Sequence, residues 1–240
     1  MNKWLLTVVY LAVSVFLTRY IPFSSFFRNV DTMVHEFGHA AMALLLSGQV
    51  LRIELHADHS GITYFRVHSA WSQIPVGLAG YMGSALFAML LFYLYHRGRQ
   101  MLGLAILTAI AIVMVVLYVH SGFGLIWLLA FIALNLAVWR LAGAGVQRVY
   151  YLLLAFLTLE ESAFSSLYLA LAALQDPSRA GDAASLAQVT GIPALFWALA
   201  FAAVALYCVA RALSYFFKPQ NRRAPARTPF GSAGTFEKNR

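Results

Sequence analysis

Long apolar runs, separated by short polar segments, dominate the sequence. They cover about 4–17, 33–46, 74–95, 102–119, 123–139, 150–174 and 192–217. Several of them reach about 18 residues, the length that a helix needs to cross the hydrocarbon core of a bilayer. We therefore predict an all-α polytopic membrane protein with about seven transmembrane helices, built from residues 1–217.

One segment follows a different pattern. Residues 50–56 alternate between apolar and polar side chains, 58–61 have the composition of a turn, and 62–65 are rich in strand-forming residues. This pattern predicts an extramembrane β-hairpin at about 48–66. The hairpin is either an ordinary connection or an edge strand that binds an extended substrate peptide by strand addition. In the second interpretation, the substrate-binding residues are Gly61, Ile62, Thr63, Tyr64 and Phe65.

The composition agrees with a membrane protein, since 61% of the 240 residues are hydrophobic and only 11% are charged. Soluble domains carry roughly 25% charged residues. The formal net charge is +8, and much of it lies in residues 218–240. We expect this segment to be a disordered cytoplasmic tail near anionic lipid, without a nucleic-acid partner, because no folded basic module is present. Since Cys208 is alone, a disulfide framework and a thiolate metal cluster are excluded.

The positions of lysine and arginine predict an orientation. In a seven-helix protein, the basic segment 96–99, the loop before the sixth helix and the tail all lie on one side. Positively charged loops face the cytoplasm, so we expect the hairpin and the loop 175–191 outside. The first apolar run resembles a signal peptide but lacks a small-x-small cleavage site, and we expect a retained helix. A short N-terminal segment without transit features suggests a bacterial plasma membrane.

A metal-binding motif, His-Glu-x-x-His, lies in the second apolar run. His35 and His39 are four residues apart, which places both imidazoles on one face of a helix. Glu36 is beside them, where it can take a proton from a water molecule. This arrangement is typical of zinc metallohydrolases. The motif helix is expected to begin near Met33, with Asp31 or Thr32 as its N-cap, and to end near residues 47–48.

A catalytic zinc usually takes three protein ligands, and the sequence leaves the third one open. Glu160 and Glu161 are the only acidic residues well inside a predicted span, and intramembrane carboxylates are functional candidates. They would bind the metal, orient a histidine ligand or pair with an arginine. Asp182 precedes a short helical stretch and also suits a helix N-cap. A second metal site in the hairpin is an alternative for Glu54, His56, Asp58 and His59.

Several segments resemble the site-2 protease class of intramembrane zinc metalloproteases. They are the His-Glu-Phe-Gly-His-Ala motif at 35–40, the following hairpin with Gly-Ile-Thr at 61–63, and the Gly-Tyr-Met-Gly-Ser helix at 80–84. More closely, the chain is similar to the divergent M50B-like branch of that class, in the Gly-Asp-Ala segment 181–183 and the Ser-Leu-Tyr segment upstream of it. The resemblance runs from about residue 30 to 215.

The resemblance implies a zinc ion held by His35, His39 and Asp182, with Glu36 as the general base. It also implies cleavage of other membrane proteins in or near their transmembrane segments. Better-known members carry a late Leu-Asp-Gly motif, which this chain lacks. The alternatives are therefore a proteolytically inactive relative or a membrane metal-binding or transport protein. In the predicted topology, Asp182 reaches the histidines only if its segment re-enters the membrane or the metal lies near mid-depth, whereas Glu161 meets them more easily.

Overall fold

The computed structural model describes residues 2–20 and 24–220. Within these ranges, the chain forms eight α-helices and one small antiparallel sheet, and single 3-10 turns precede the third and seventh helices. The elements are α1 (Lys3–Arg19), α2 (Ser24–Leu45), β1 (Gln49–Leu55), β2 (Gly61–Arg66), α3 (Gln73–His96), α4 (Gln100–Leu117), α5 (Gly122–Leu141), α6 (Ala144–Gln175), α7 (Gly181–Thr190) and α8 (Ala194–Phe217).

Five helices, α3, α4, α5, α6 and α8, are long and apolar enough to cross a membrane. The fold is thus a mainly helical membrane protein with one two-stranded sheet. Helix α1 has 17 residues, and α2 carries Arg28, Asp31 and Glu36 besides its two histidines. The count of seven spans is not confirmed for these two helices and stays a prediction. The predicted basic tail lies outside the described residues from 221 onward.

The predicted start of the motif helix is wrong. Helix α2 begins at Ser24, so Asp31 and Thr32 lie inside the helix and neither caps it. Two polar residues of this segment are held in the helix by partners elsewhere in the fold. Arg28 pairs with Glu161 of α6, and the Thr32 hydroxyl donates to the carbonyl of His59 in the hairpin turn.

The predicted hairpin is confirmed. Strands β1 and β2 pair antiparallel, with Ile53 opposite Thr63 and one irregularity between Val50 and Arg52. On its other side, β1 is attached to the end of α4, because the Ile53 amide donates to the Tyr118 carbonyl at 3.0 Å. In the described part of the chain, β2 makes no backbone hydrogen bond on its outer edge.

Close packing of α2 against α3 brings the motif to the centre of the molecule. An added Cβ at Gly38 of α2 would lie 2.5 Å from the Ala79 carbonyl oxygen of α3, so the two backbones touch at this point. Gly77, two residues earlier on α3, packs against Leu186 of α7. The small residues of this helix therefore permit close helix contact, as the sequence predicts.

Candidate metal centre

Three side chains converge where α2, α3 and α7 meet. The Nε2 atoms of His35 and His39 are 3.1 Å apart. The Asp182 Oδ2 atom lies 3.2 Å from Nε2 of His35 and 3.1 Å from Nε2 of His39. Among the residues that the structure describes, this is the group of three that could hold a metal ion.

Each ligand atom is positioned by its element. The two histidines follow one another on a single face of α2, and Nδ1 of His39 is 2.7 Å from the Val76 carbonyl oxygen. That contact requires the proton on Nδ1 and leaves Nε2 to bind a metal. Asp182 is the second residue of α7, where Ala180 is the N-cap. Its carboxylate points at the imidazoles, so the N-cap interpretation of Asp182 is wrong.

The geometry of this group fits zinc. Zinc bonds to nitrogen and oxygen ligands are about 2.0–2.2 Å long, so tetrahedral ligand atoms lie roughly 3.3 Å apart. The three observed separations are close to this value. In addition, the Asp182 Oδ2 atom is buried and has no hydrogen-bond partner in the described structure. Three ligands also leave the fourth position that a catalytic zinc requires.

The side chain of the general-base candidate, Glu36, extends from α2 and packs against strand β2 of the hairpin. Its side chain is buried, and the Thr63 hydroxyl lies 2.7 Å from its Oε2 atom. On the other side of the carboxylate, an added Cβ at Gly61 would lie 2.6 Å from Oε1 and from Cγ. Nothing in the sequence signals this contact, because it joins a helix to a strand that folds against it.

Most residues of the predicted substrate-binding strand line one cavity, and Tyr64 does not. Gly61, Ile62, Thr63 and Phe65 line a cavity of about 960 Å³ that also contains the three candidate ligands and Glu36. Tyr64 instead lies under the guanidinium of Arg52, whose carbon is 3.9 Å from the ring centroid. Four of the five predicted residues thus line the cavity that contains the candidate site.

The structure does not bring Glu160 and Glu161 to the histidines. Both carboxylates are buried, and Glu161 pairs with Arg28 at 2.7 Å and with Arg19 at 3.1 Å. Glu160 accepts a hydrogen bond from Thr18 and lies 3.5 Å from Arg19. Of the roles open to these residues, the described structure shows ion pairing with arginine. Arg19, Arg28 and Glu161 line the same cavity as the candidate metal centre, a feature that sequence analysis missed.

The hairpin carboxylates and histidines have local partners instead of forming a second metal group. Glu54 pairs with Arg52 at 2.7 Å. Hydrogen bonds from the Ser60 hydroxyl and amide hold the pKa of Asp58 below its usual range. Burial and then the nearby guanidinium of Arg28 lower the pKa of His59, whose Nδ1 lies 3.2 Å from Arg28. The hairpin turn is therefore fixed to α2 by a neutral histidine.

Gly80 gives a direct test of the geometry of the centre. An added Cβ there would lie 2.5 Å from Nε2 of His35 and closer still to Nε2 of His39. We expect Gly80→Ala to weaken zinc binding at least about 10-fold, because the methyl group occupies space that the ligand atoms need. Competition with a fluorescent zinc chelator measures the change.

Gly83→Ala is the matched control for Gly80→Ala. It lies on the same helix, and the nearest atom to its added Cβ is the Gly38 Cα at 4.0 Å. Both changes raise helix propensity to the same extent, so a difference between them reports on the centre. Equal zinc affinity for the two variants would contradict the position of Gly80 against the imidazoles.

Comparison with protein families gives a match that spans most of the chain. The family model described as Peptidase M50B-like matches residues 5–212. No curated protein and no solved structure matches the chain. The matched range contains the His35–His39–Asp182 group, Glu36 and the whole hairpin.

Proposed function

Since the chain belongs to the Peptidase M50B-like family, we propose that it is an intramembrane zinc metalloprotease. It hydrolyses peptide bonds in or near the transmembrane segments of other membrane proteins. The observation that carries this proposal is the convergence of His35, His39 and Asp182, with Glu36 beside them, on one cavity that strand β2 borders. A metal group, a base and a peptide-binding edge are the parts that peptide hydrolysis needs.

In this proposal, His35, His39 and Asp182 hold the zinc ion. Zinc bound there would polarise the substrate carbonyl and lower the pKa of a water molecule toward about 7. Glu36 takes the proton of the attacking water and delivers it to the leaving amine. The family membership supports a metallopeptidase, and the burial of Glu36 supports its role, because a shielded carboxylate transfers protons without competition from bulk water.

The substrate is proposed to bind as an added strand on β2. A helical peptide bond is shielded by its own backbone, so the substrate segment has to unwind before the site can act on it. The outer edge of β2 has no backbone partner in the described part of the chain, and Gly61, Thr63 and Phe65 face the cavity. Pairing with this edge holds an extended peptide beside Glu36.

The five apolar helices and the family place the protein in a membrane. We propose the plasma membrane of a bacterium, with the C-terminal segment on the cytoplasmic side. The basic residues between α3 and α4, together with Arg140 at the end of α5 and Arg148 at the start of α6, support this orientation. The partners in this proposal are the lipid bilayer and a membrane-protein substrate.

Exchange of the general base tests the function. Zinc-loaded protein in detergent is incubated with a panel of synthetic single-span peptides, and the products are identified by mass spectrometry. We expect Glu36→Gln to lower the cleavage rate on the order of 10²–10⁴-fold, with zinc content unchanged. Equal cleavage by wild type and variant would exclude Glu36 as the base. Zinc flux into proteoliposomes that survives the exchange would instead support a transport protein.

A further inference from the structure

The hydroxyl of Thr63 contacts the general-base candidate at two points. Its Oγ1 atom lies 2.7 Å from the Oε2 atom of Glu36 and 3.0 Å from the backbone carbonyl oxygen of the same residue. Gly61, on the same face of β2 since side chains alternate along a strand, lies against the opposite carboxylate oxygen. The carboxylate is thus enclosed by two residues of one strand.

The backbone of Thr63 faces the free edge of β2. The Ile53 amide donates to Tyr118 and therefore points away from β2. Ile53 is opposite Thr63, so the two form a non-hydrogen-bonded pair, in which both residues direct N–H and C=O outward. The bond from the His56 amide to the Ser60 carbonyl fits the same alternation. The outward groups of Thr63 are the ones that an added peptide strand would pair with.

We propose that Thr63 is a positioning residue that couples peptide binding on β2 to the orientation of Glu36. This inference rests on the proposed function. The backbone of Thr63 pairs with the substrate strand, while its side chain holds the base. A substrate that pairs at Thr63 therefore fixes the carboxylate beside the peptide bond that it presents.

A hydroxyl group suits both protonation states of the base. The threonine hydroxyl donates one hydrogen bond and can accept up to two more. When Glu36 is ionised, Thr63 donates to Oε2. When Glu36 carries the proton from the attacking water on its other oxygen, Oε2 is still an acceptor and Thr63 continues to donate to it. The carboxylate therefore keeps its orientation while the proton arrives and leaves.

Thr63→Val tests this role, because valine keeps the shape and strand preference of threonine and removes the hydroxyl. On the peptide that wild type cleaves best in the panel, we expect kcat to fall roughly 10- to 100-fold, the factor for one hydrogen bond to a charged group. KM should change by less than about threefold, since the backbone edge is intact. Thr63→Ser should restore kcat to within a few-fold of wild type.

Thr32→Val is the matched control. Thr32 also joins α2 to the hairpin through its hydroxyl, at 2.9 Å from the His59 carbonyl, and this hydroxyl bonds only to backbone carbonyl oxygens in the described structure. It should keep the wild-type kcat, so a loss that is specific to Thr63 separates base positioning from hairpin docking. The proposal would be overturned if Thr63→Val kept the wild-type kcat, or if Thr63→Ser lost as much activity as Thr63→Val.

Binding of acetohydroxamate gives a readout without turnover. This small metal-binding acid hydrogen-bonds to a carboxylate beside the metal, so its affinity for the zinc-loaded protein reports on the orientation of Glu36. We expect the affinity to fall about 10-fold in Thr63→Val and to stay near wild type in Thr63→Ser and Thr32→Val. If no peptide is cleaved, the proposed function fails while this comparison still tests Thr63. Equal affinities in all variants would overturn its positioning role.

Discussion

Replacing Asp182 with alanine is expected to reduce the zinc content of the purified protein from about one ion per chain to near zero. A catalytic zinc takes three protein ligands, and the Asp182 Oδ2 atom lies within 3.2 Å of both histidine Nε2 atoms. Even residues that only support a ligand contribute about 10- to 100-fold to metal affinity, so removal of a ligand should exceed this range. His35→Ala and His39→Ala should have the same result.

Two controls make the test specific. Asp176→Ala removes a carboxylate from the same connection between α6 and α8. In the described structure this carboxylate is exposed and accepts hydrogen bonds from the amide and hydroxyl of Ser178. Glu161→Ala removes the carboxylate that competes with Asp182 as third ligand in the sequence analysis. Both variants should retain zinc, measured by elemental analysis after chelator washing. Retention by Asp182→Ala together with loss by Glu161→Ala would contradict the centre described above.

The parts of the site that the sequence predicts are the local ones. His35 and His39 share a helix face because of helical periodicity alone, and the hairpin follows from alternation and a turn. Asp31 and Thr32 look like N-caps because an aspartate or threonine directly before an apolar run usually marks the start of a helix. They lie inside α2 because Arg28 and Thr32 find partners in α6 and the hairpin, and such distant partners leave no local signal.

The third ligand required information on tertiary packing. The predicted topology separated Asp182 from the histidines in depth and, on depth alone, favoured Glu161 as the alternative third ligand. In the structure, Leu186 of α7 packs against Gly77 of α3, and this contact carries Asp182 to the centre. His39 and Asp182 are far apart in sequence and meet because α2 packs against α3 and α3 packs against α7. The spacing of residues along the chain predicts neither of these helix contacts. Resemblance to a family indicated Asp182; periodicity did not.

Replacing Glu161 with glutamine is expected to destabilise the protein by roughly 2–4 kcal/mol. Removal of one partner from a buried ion pair costs about 3–5 kcal/mol because the other charge stays buried without compensation. Glu161 compensates both Arg19 and Arg28. We expect a smaller loss of stability than this, because the side chains of Arg19 and Arg28 line the cavity and stay partly exposed to solvent. Thermal unfolding in detergent should show a midpoint on the order of 10 °C lower.

Glu160→Gln is the matched control, since Glu160 is adjacent in sequence and equally buried at 4% exposure. The main partner of Glu160 is the Thr18 hydroxyl, which would also donate a hydrogen bond to a glutamine side-chain oxygen. The Arg19 guanidinium is farther away, at 3.5 Å from the Glu160 carboxylate. We expect a change of about 1 kcal/mol or less.

The two glutamate variants together test what the ion pairs contribute. Arg28 joins Glu161 of α6 to His59 of the hairpin turn, so loss of Glu161 should loosen the hairpin as well as the helix packing. Faster proteolysis within the hairpin of Glu161→Gln than of Glu160→Gln would show this coupling. Equal unfolding midpoints for the two variants would mean that solvent in the cavity already screens both arginines, in which case the pairs set the shape of the cavity without stabilising the fold.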